Sequence, residues 1–112
     1  PPRLEMTEVE LTSDFVIPRD RLTACFDTAK LHHALTLRLW QTGDTFVPFG
    51  MKGRKKVSDY LTDRKFSLLQ KQRQWVLCCG EDIAWLVGER TDNRFRVDEH
   101  TRKVTLVRMV KE

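Results

Sequence analysis

Two glycines and four cations stand within seven residues, Gly50-Met51-Lys52-Gly53-Arg54-Lys55-Lys56. Their types and spacing suggest a grip on phosphate. Glycine lets a backbone N–H approach an oxygen closely, and Lys and Arg bring charge and donors. Three formal motifs can be tested against the run. A Walker loop needs a second glycine where Lys55 stands, so it fails. The dinucleotide fingerprint needs three glycines, and two are present. A GxxG loop of the KH type matches literally from Gly50 to Gly53. That loop joins two helices, whereas here an extended, proline-bearing segment leads in. What remains is physical: close-approach glycines and a cation cluster at the entrance of a predicted helix, whose N-terminus adds partial positive charge and unpaired donors. Cations at that end oppose the helix dipole, a local conflict that points to function. The plain alternative is a solvated basic face.

Other residues offer less chemistry. Asp59 and Asp63 imitate an acid/base pair, but carboxylates four apart among lysines read as surface ion-pair partners, with Lys55 expected to face Asp59. Ser58 has no histidine near it in sequence. Gly43-Asp44 is a turn signature in which Asp44 bonds its own loop backbone. Cys78 and Cys79 are adjacent and no CxxC occurs, so reduced cysteines in a core are expected, with no metal site. His32, His33 and His100 lack partners at ligand spacing. Trp40, Trp75 and Trp85 lie in strand patterns and read as core rather than as base-stacking platforms. No constellation here does catalysis unaided.

These residues sit in a chain of 112 residues with net charge +4. The charge is graded. Residues 52–73 carry eight cations against Asp59 and Asp63, a net of +6, so the rest is −2. The first fourteen residues hold Glu5, Glu8, Glu10 and Asp14 against Arg3. Such a gradient favours a polyanionic partner. Hydrophobic content of 40% and charged content of 32% suit one globular domain. The longest apolar runs are strand-sized, so no membrane is implied. The chain opens Pro1-Pro2 without an initiator Met, and is expected to be a piece of a longer protein.

The elements that must position the cluster can be read from periodicity. Arg3–Leu11, Thr23–Asp27, Leu35–Trp40, Gln74–Cys79, Ile83–Gly88, Asn93–Val97 and Lys103–Val110 read as strands, and Thr45–Phe49 as extended. Gly80-Glu81-Asp82 is the turn of a hairpin. Between the first two strands, Val16-Ile17-Pro18 reads as a loop or edge, because the proline stops regular pairing. Thr28–Ala34 reads as a turn of helix or a link. Val57, Tyr60, Leu61 and Arg64 fall on one helical stripe, and Ser67-Leu68-Leu69-Gln70 is a capping box opening a second short helix. Strands, two helices, then strands predict an α+β domain, mainly an antiparallel β-sandwich-like sheet system with one or two short helices.

The stretch from Leu35 to Lys65, with Asp82–Val97, resembles the C-terminal domain of the tRNA(Ile)-lysidine synthetase family. The residues that carry the likeness are Gly43, Asp44, Phe46, Pro48, Gly50, Met51, Gly53, Lys55, Lys56, Ser58 and Asp59, then Ile83, Trp85, Gly88 and Arg90. Residues 35–110 would be the family core and residues 1–34 a strand-and-loop lead-in. The chain departs from the family pattern at Gln41, Thr42 and Thr45, where cations or proline are common, and at Ser67, where proline is usual.

The resemblance implies a fold shared with a domain of phenylalanyl-tRNA synthetase. It implies an accessory domain that holds tRNA(Ile) near its acceptor stem, within a cytoplasmic ligase that joins lysine to the wobble cytidine using ATP. ATP with magnesium is expected in a catalytic domain outside these residues. That domain's Ser-Gly-Gly-x-Asp-Ser loop does not occur here, so no cofactor is expected in this chain. Lys52, Arg54, Lys55 and Lys56 would contact phosphates, Gly50 and Gly53 would allow close approach, and Arg64, Arg90 and Arg94 would assist. Gly43, Asp44, Ser58 and Asp59 would shape the join between loop and helix. The alternative is a protein-docking module that orients the catalytic domain or forms a homodimer.

Overall fold

The computed structural model describes residues 1–110. Nine strands and two short helices appear in it in the order β1 (Arg3–Glu10), β2 (Thr23–Asp27), β3 (Leu35–Leu39), β4 (Thr45–Phe46), β5 (Lys55–Lys56), α1 (Val57–Asp63), α2 (Leu68–Gln72), β6 (Trp75–Cys79), β7 (Asp82–Leu86), β8 (Arg90–Thr91) and β9 (Lys103–Val110). They form a three-stranded sheet β1-β9-β2, a four-stranded sheet β3-β6-β7-β8 and the two-stranded ribbon β4-β5. Every pairing is antiparallel. The α+β, mainly antiparallel architecture expected from the sequence is the one observed.

The four-stranded sheet is covered on both faces at its centre, which explains why β6 and β7 read as nearly continuous apolar runs while the edge strand β3 alternates. One face packs on the three-stranded sheet through Phe26, Leu77, Cys79, Trp85, Phe95 and Val107. The other packs on α1 and β4 through Phe46, Val57, Tyr60, Leu61, Val76 and Leu86. In β6 this follows simple alternation. In β7 the register slips: Leu77 pairs with Trp85 but Cys78 pairs with Ile83, so Ala84 is an extra residue. That bulge turns Trp85, 1% exposed, onto the sheet–sheet side. The β6–β7 hairpin turns on Gly80 at φ 60°, a left-handed value suited to glycine at the first position of a two-residue loop.

Three local expectations are corrected. Lys55 and Lys56 do not lie on the helix; they pair with Phe46 and Thr45 as strand β5, and α1 begins at Val57. Because Lys55 precedes the helix, it pairs with Asp63 rather than Asp59. Asn93–Val97 is no strand. Asp92 caps a 3-10 turn at Asn93–Phe95 by accepting from the Arg94 N–H, and local capping overrides the β-like alternation. The segment read as extended up to Pro48 pairs as strand β4 at Thr45–Phe46 and makes a lone bridge from Pro48 to Asp92. The α2 capping box is present with both of its bonds.

Candidate nucleic-acid interface

Because β4 and β5 pair, residues 47–54 between them become a loop with a fixed base. The loop is stapled to the segment after β8. The Phe49 N–H donates to the Thr91 carbonyl at 2.9 Å, the Asn93 N–H to the Val47 carbonyl at 2.7 Å, and the Gly50 N–H to Asn93 Oδ1 at 3.0 Å. The Arg90 guanidinium donates to the Phe49 carbonyl. Gly50 takes φ 86°, so the chain reverses there, and the Met51 N–H closes the turn on the Pro48 carbonyl at 2.9 Å.

Beneath the loop lies Asp92, whose side chain is 0% exposed. It accepts from the Val47 N–H at 2.8 Å, from the Arg94 N–H at 2.8 Å, and from the Arg94 guanidinium at 2.9 Å on each oxygen. A buried carboxylate needs this degree of satisfaction. The same hydrogen bonds raise the affinity of Arg94 for its proton. Arg90 and Arg94 therefore build the platform under the loop.

The far side of the loop is different. Lys52, Gly53, Arg54 and Lys56 are exposed. Among the described residues, Lys52 and Lys56 make no ion pair, and Arg54 reaches only Thr45 Oγ1 at 3.3 Å. Lys55 is half-buried and paired with Asp63. Open space surrounds Gly53 where a side chain would be, so another backbone can approach it. The backbone donors of Phe49, Gly50 and Met51 are engaged internally, and the first α1 N–H, of Val57, donates to the Asp44 carbonyl at 3.0 Å, while Lys56 at the N-cap position makes no side-chain cap bond. The formal charge that this side presents to an outside group is that of the Lys52, Arg54 and Lys56 side chains.

Asp44 organises the join. Its carboxylate accepts from the Gln41 N–H at 2.8 Å and from Arg38 at 2.8 and 3.1 Å, while Gly43 turns the chain at φ 96°. Partial burial opposes ionisation of Asp44, but the Arg38 and Gln41 bonds outweigh it and hold the carboxyl below its ordinary range. Asp59 is exposed in the first turn of α1, a favourable place for an acid. The Ser58 carbonyl accepts from Thr62 Oγ1 at 2.9 Å.

Arg64, just past α1, is tied to Glu89 at 2.7 Å, and this bond raises its pKa. The same Glu89 oxygen accepts from Tyr60 at 3.1 Å and from Arg21 at 3.3 Å. Sequence reasoning missed Glu89, Asp92 and Asn93 as anchors, because each acts on residues at least 25 positions away or through backbone. It also missed Phe49 and Met51, 51% and 43% exposed beside the cations. Apolar residues flanking a glycine within a basic loop were the available signal.

Comparison with known proteins bears on what this loop belongs to. Residues 35–108 match the family described as the TilS substrate C-terminal domain. A tRNA(Ile)-lysidine synthase of Bacteroides thetaiotaomicron is 64% identical over 110 residues, which is 98% of this chain and 26% of that protein. A solved TilS C-terminal domain superposes with a TM-score of 0.73 at 16% identity, covering 97% of this chain and 86% of that one. An N-terminal fragment of the phenylalanyl-tRNA synthetase β-subunit from Pyrococcus horikoshii gives 0.65 at 19% identity, covering 76% and 27%. At those identities the two structures speak for the fold alone. The chain spans about a quarter of the length of the curated relatives it matches. Family model, relatives and fold agree: this chain belongs to the TilS substrate C-terminal domain family.

Proposed function

We propose that this domain holds tRNA(Ile) for a cytoplasmic tRNA(Ile)-lysidine synthase, whose ATP-dependent joining of lysine to the wobble cytidine takes place in another part of the longer protein. The observation that carries this reading is the cluster of exposed cations Lys52 and Arg54 on loop 47–54 and Lys56 on strand β5 beside it, with the loop itself fixed by Asp92, Arg90 and Asn93. Cations on a fixed frame neutralise phosphates without first ordering a mobile segment. Duplex RNA is gripped through backbone and shape, which suits such a cluster. Lys55 contributes less, since Asp63 already neutralises it, and Arg64, Arg90 and Arg94 act mainly by holding the platform.

The test is tRNA binding by the full-length protein across a salt series. Lys52→Ala/Arg54→Ala/Lys56→Ala is expected to weaken binding at least tenfold near 0.1 M salt and to flatten the log Kd against log salt slope by about 2–3, at roughly 0.9 per phosphate contact. The thermal midpoint should stay unchanged. Wild-type affinity and slope in the triple variant would exclude this loop as the grip. A second reading, docking onto the rest of the parent protein, is favoured by Leu68 and Leu69 on α2, 73% and 55% exposed. Leu68→Ser/Leu69→Ser would then impair association with the catalytic part while leaving tRNA affinity of the 112-residue chain intact.

A further inference from the structure

The half-exposed side chain of Phe49 lines a cleft of about 300 Å³. Trp85 and Cys25 also line this cleft, and Ile17, Arg19 and Arg90 bound it further. Ile17 and Phe49 are 42% and 51% exposed, while Trp85 is 1% exposed, so the cleft has open apolar walls against a fixed core residue. Its charges are Arg19, Arg21 and Arg90 against Asp20 and Glu89. Glu89 is compensated by Arg21 and, from outside the cleft, by Arg64. Asp20 accepts from the Leu22 N–H at 3.0 Å. Among the described residues Arg19 has no ion-pair or hydrogen-bond partner, and Arg90 uses one nitrogen on the Phe49 carbonyl.

We propose that this cleft receives one unpaired nucleotide of the bound RNA, its base against Phe49 and Ile17 and its phosphate toward Arg19 and Arg90. The idea rests on the RNA-holding reading above and adds a site to it. An aromatic face beside guanidinium groups is the combination that accepts a splayed base of any sequence. The volume sits at the lower end of the range for small-ligand clefts, which suits one base rather than a peptide segment. Continuity supports the same occupant. Phe49 and Lys52 are three residues apart on one loop, no more than about 11 Å along the chain. A strand whose phosphates lie on Lys52 and Arg54 is therefore within reach of the cleft.

The test uses the 112-residue chain with two probes, a fluorescein-labelled single-stranded hexaribonucleotide and a blunt RNA duplex of about 12 base pairs, at low salt. Phe49→Ala is expected to weaken the hexamer about tenfold and to leave the duplex within about twofold. Lys52→Ala/Arg54→Ala is expected to weaken both. A second readout is alkylation of Cys25: saturating hexamer should slow it at least fivefold, and duplex should not. If Phe49→Ala leaves hexamer affinity unchanged, or Cys25 is not protected, while duplex binding persists, the cleft proposal fails and the RNA-holding reading stands. If neither RNA binds, both fail. Protection of Cys25 by the catalytic part of the longer protein, without RNA, would assign the cleft to a protein and overturn the proposal.

Discussion

Asp92 is one carboxylate with no exposed surface, serving two chain segments and one guanidinium. Removing it leaves two N–H groups without their acceptor and Arg94 with Asp82, at 3.3 Å, as its remaining partner. Asp92→Ala is therefore expected to destabilise the domain by about 3–5 kcal/mol in urea unfolding. The same variant should lower RNA affinity, because loop 47–54 loses its base. At the surface, Asp98 is held down to about 2 by the Lys30 ammonium, with help from the His100 N–H. A carboxylate whose pKa is lower in the folded state stabilises fully above its unfolded pKa and loses that contribution as pH falls. The window is about pH 4 down to about 2. Stability measured across it should fall less steeply in Asp98→Asn than in the wild type.

Helix α1 ends in a way its sequence does not advertise. Lys65 sits at φ 64°, where glycine is usual. The Lys65 N–H donates to the Thr62 carbonyl and the Phe66 N–H to the Leu61 carbonyl, at 2.9 and 3.0 Å, which is the Schellman pattern. Lys65→Gly should thus raise stability by up to about 1 kcal/mol, read from the urea midpoint. Loss of RNA affinity in that stabilised variant would show that Lys65 serves binding. At α2, Ser67→Ala should cost about 1 kcal/mol of local helix stability, visible as faster amide exchange at Gln70. The α2 start was legible because its capping residues are neighbours in sequence. The α1 start was not: it depends on β5 pairing back onto β4, across the whole loop, and on the Asp44 carbonyl. Lys55 and Lys56 were accordingly read one element too late.

Across the molecule, the alternation of Leu35 and Leu37, the Gly80 hairpin and the strand–helix–strand order sufficed to predict an antiparallel α+β domain. The sandwich's two cores were less visible, because the bulge at Ala84 decides which face Trp85 meets and only β6 reveals it. For the candidate interface, the basic cluster was evident in composition. Its frame was hidden, since Asp92, Asn93 and Glu89 reach it across long sequence separations. The cleft at Phe49 was hidden for the same reason: it joins residues 17–25 to residues 85–91.

The central place of β9 between β1 and β2 sets a timetable for synthesis. β2 ends at Asp27 and β9 begins at Lys103, and neither β1 nor β2 pairs with anything but β9 within its sheet. At about 5–20 residues per second, the intervening stretch takes about 4–15 s to translate. During that interval β1 and β2 emerge from the ribosome with both edges open, and Ala24 and Phe26 lack Val107 and Thr105 opposite them. A nascent chain arrested before Lys103 should therefore be sensitive to protease in residues 3–27, and one extended past Val110 should be resistant.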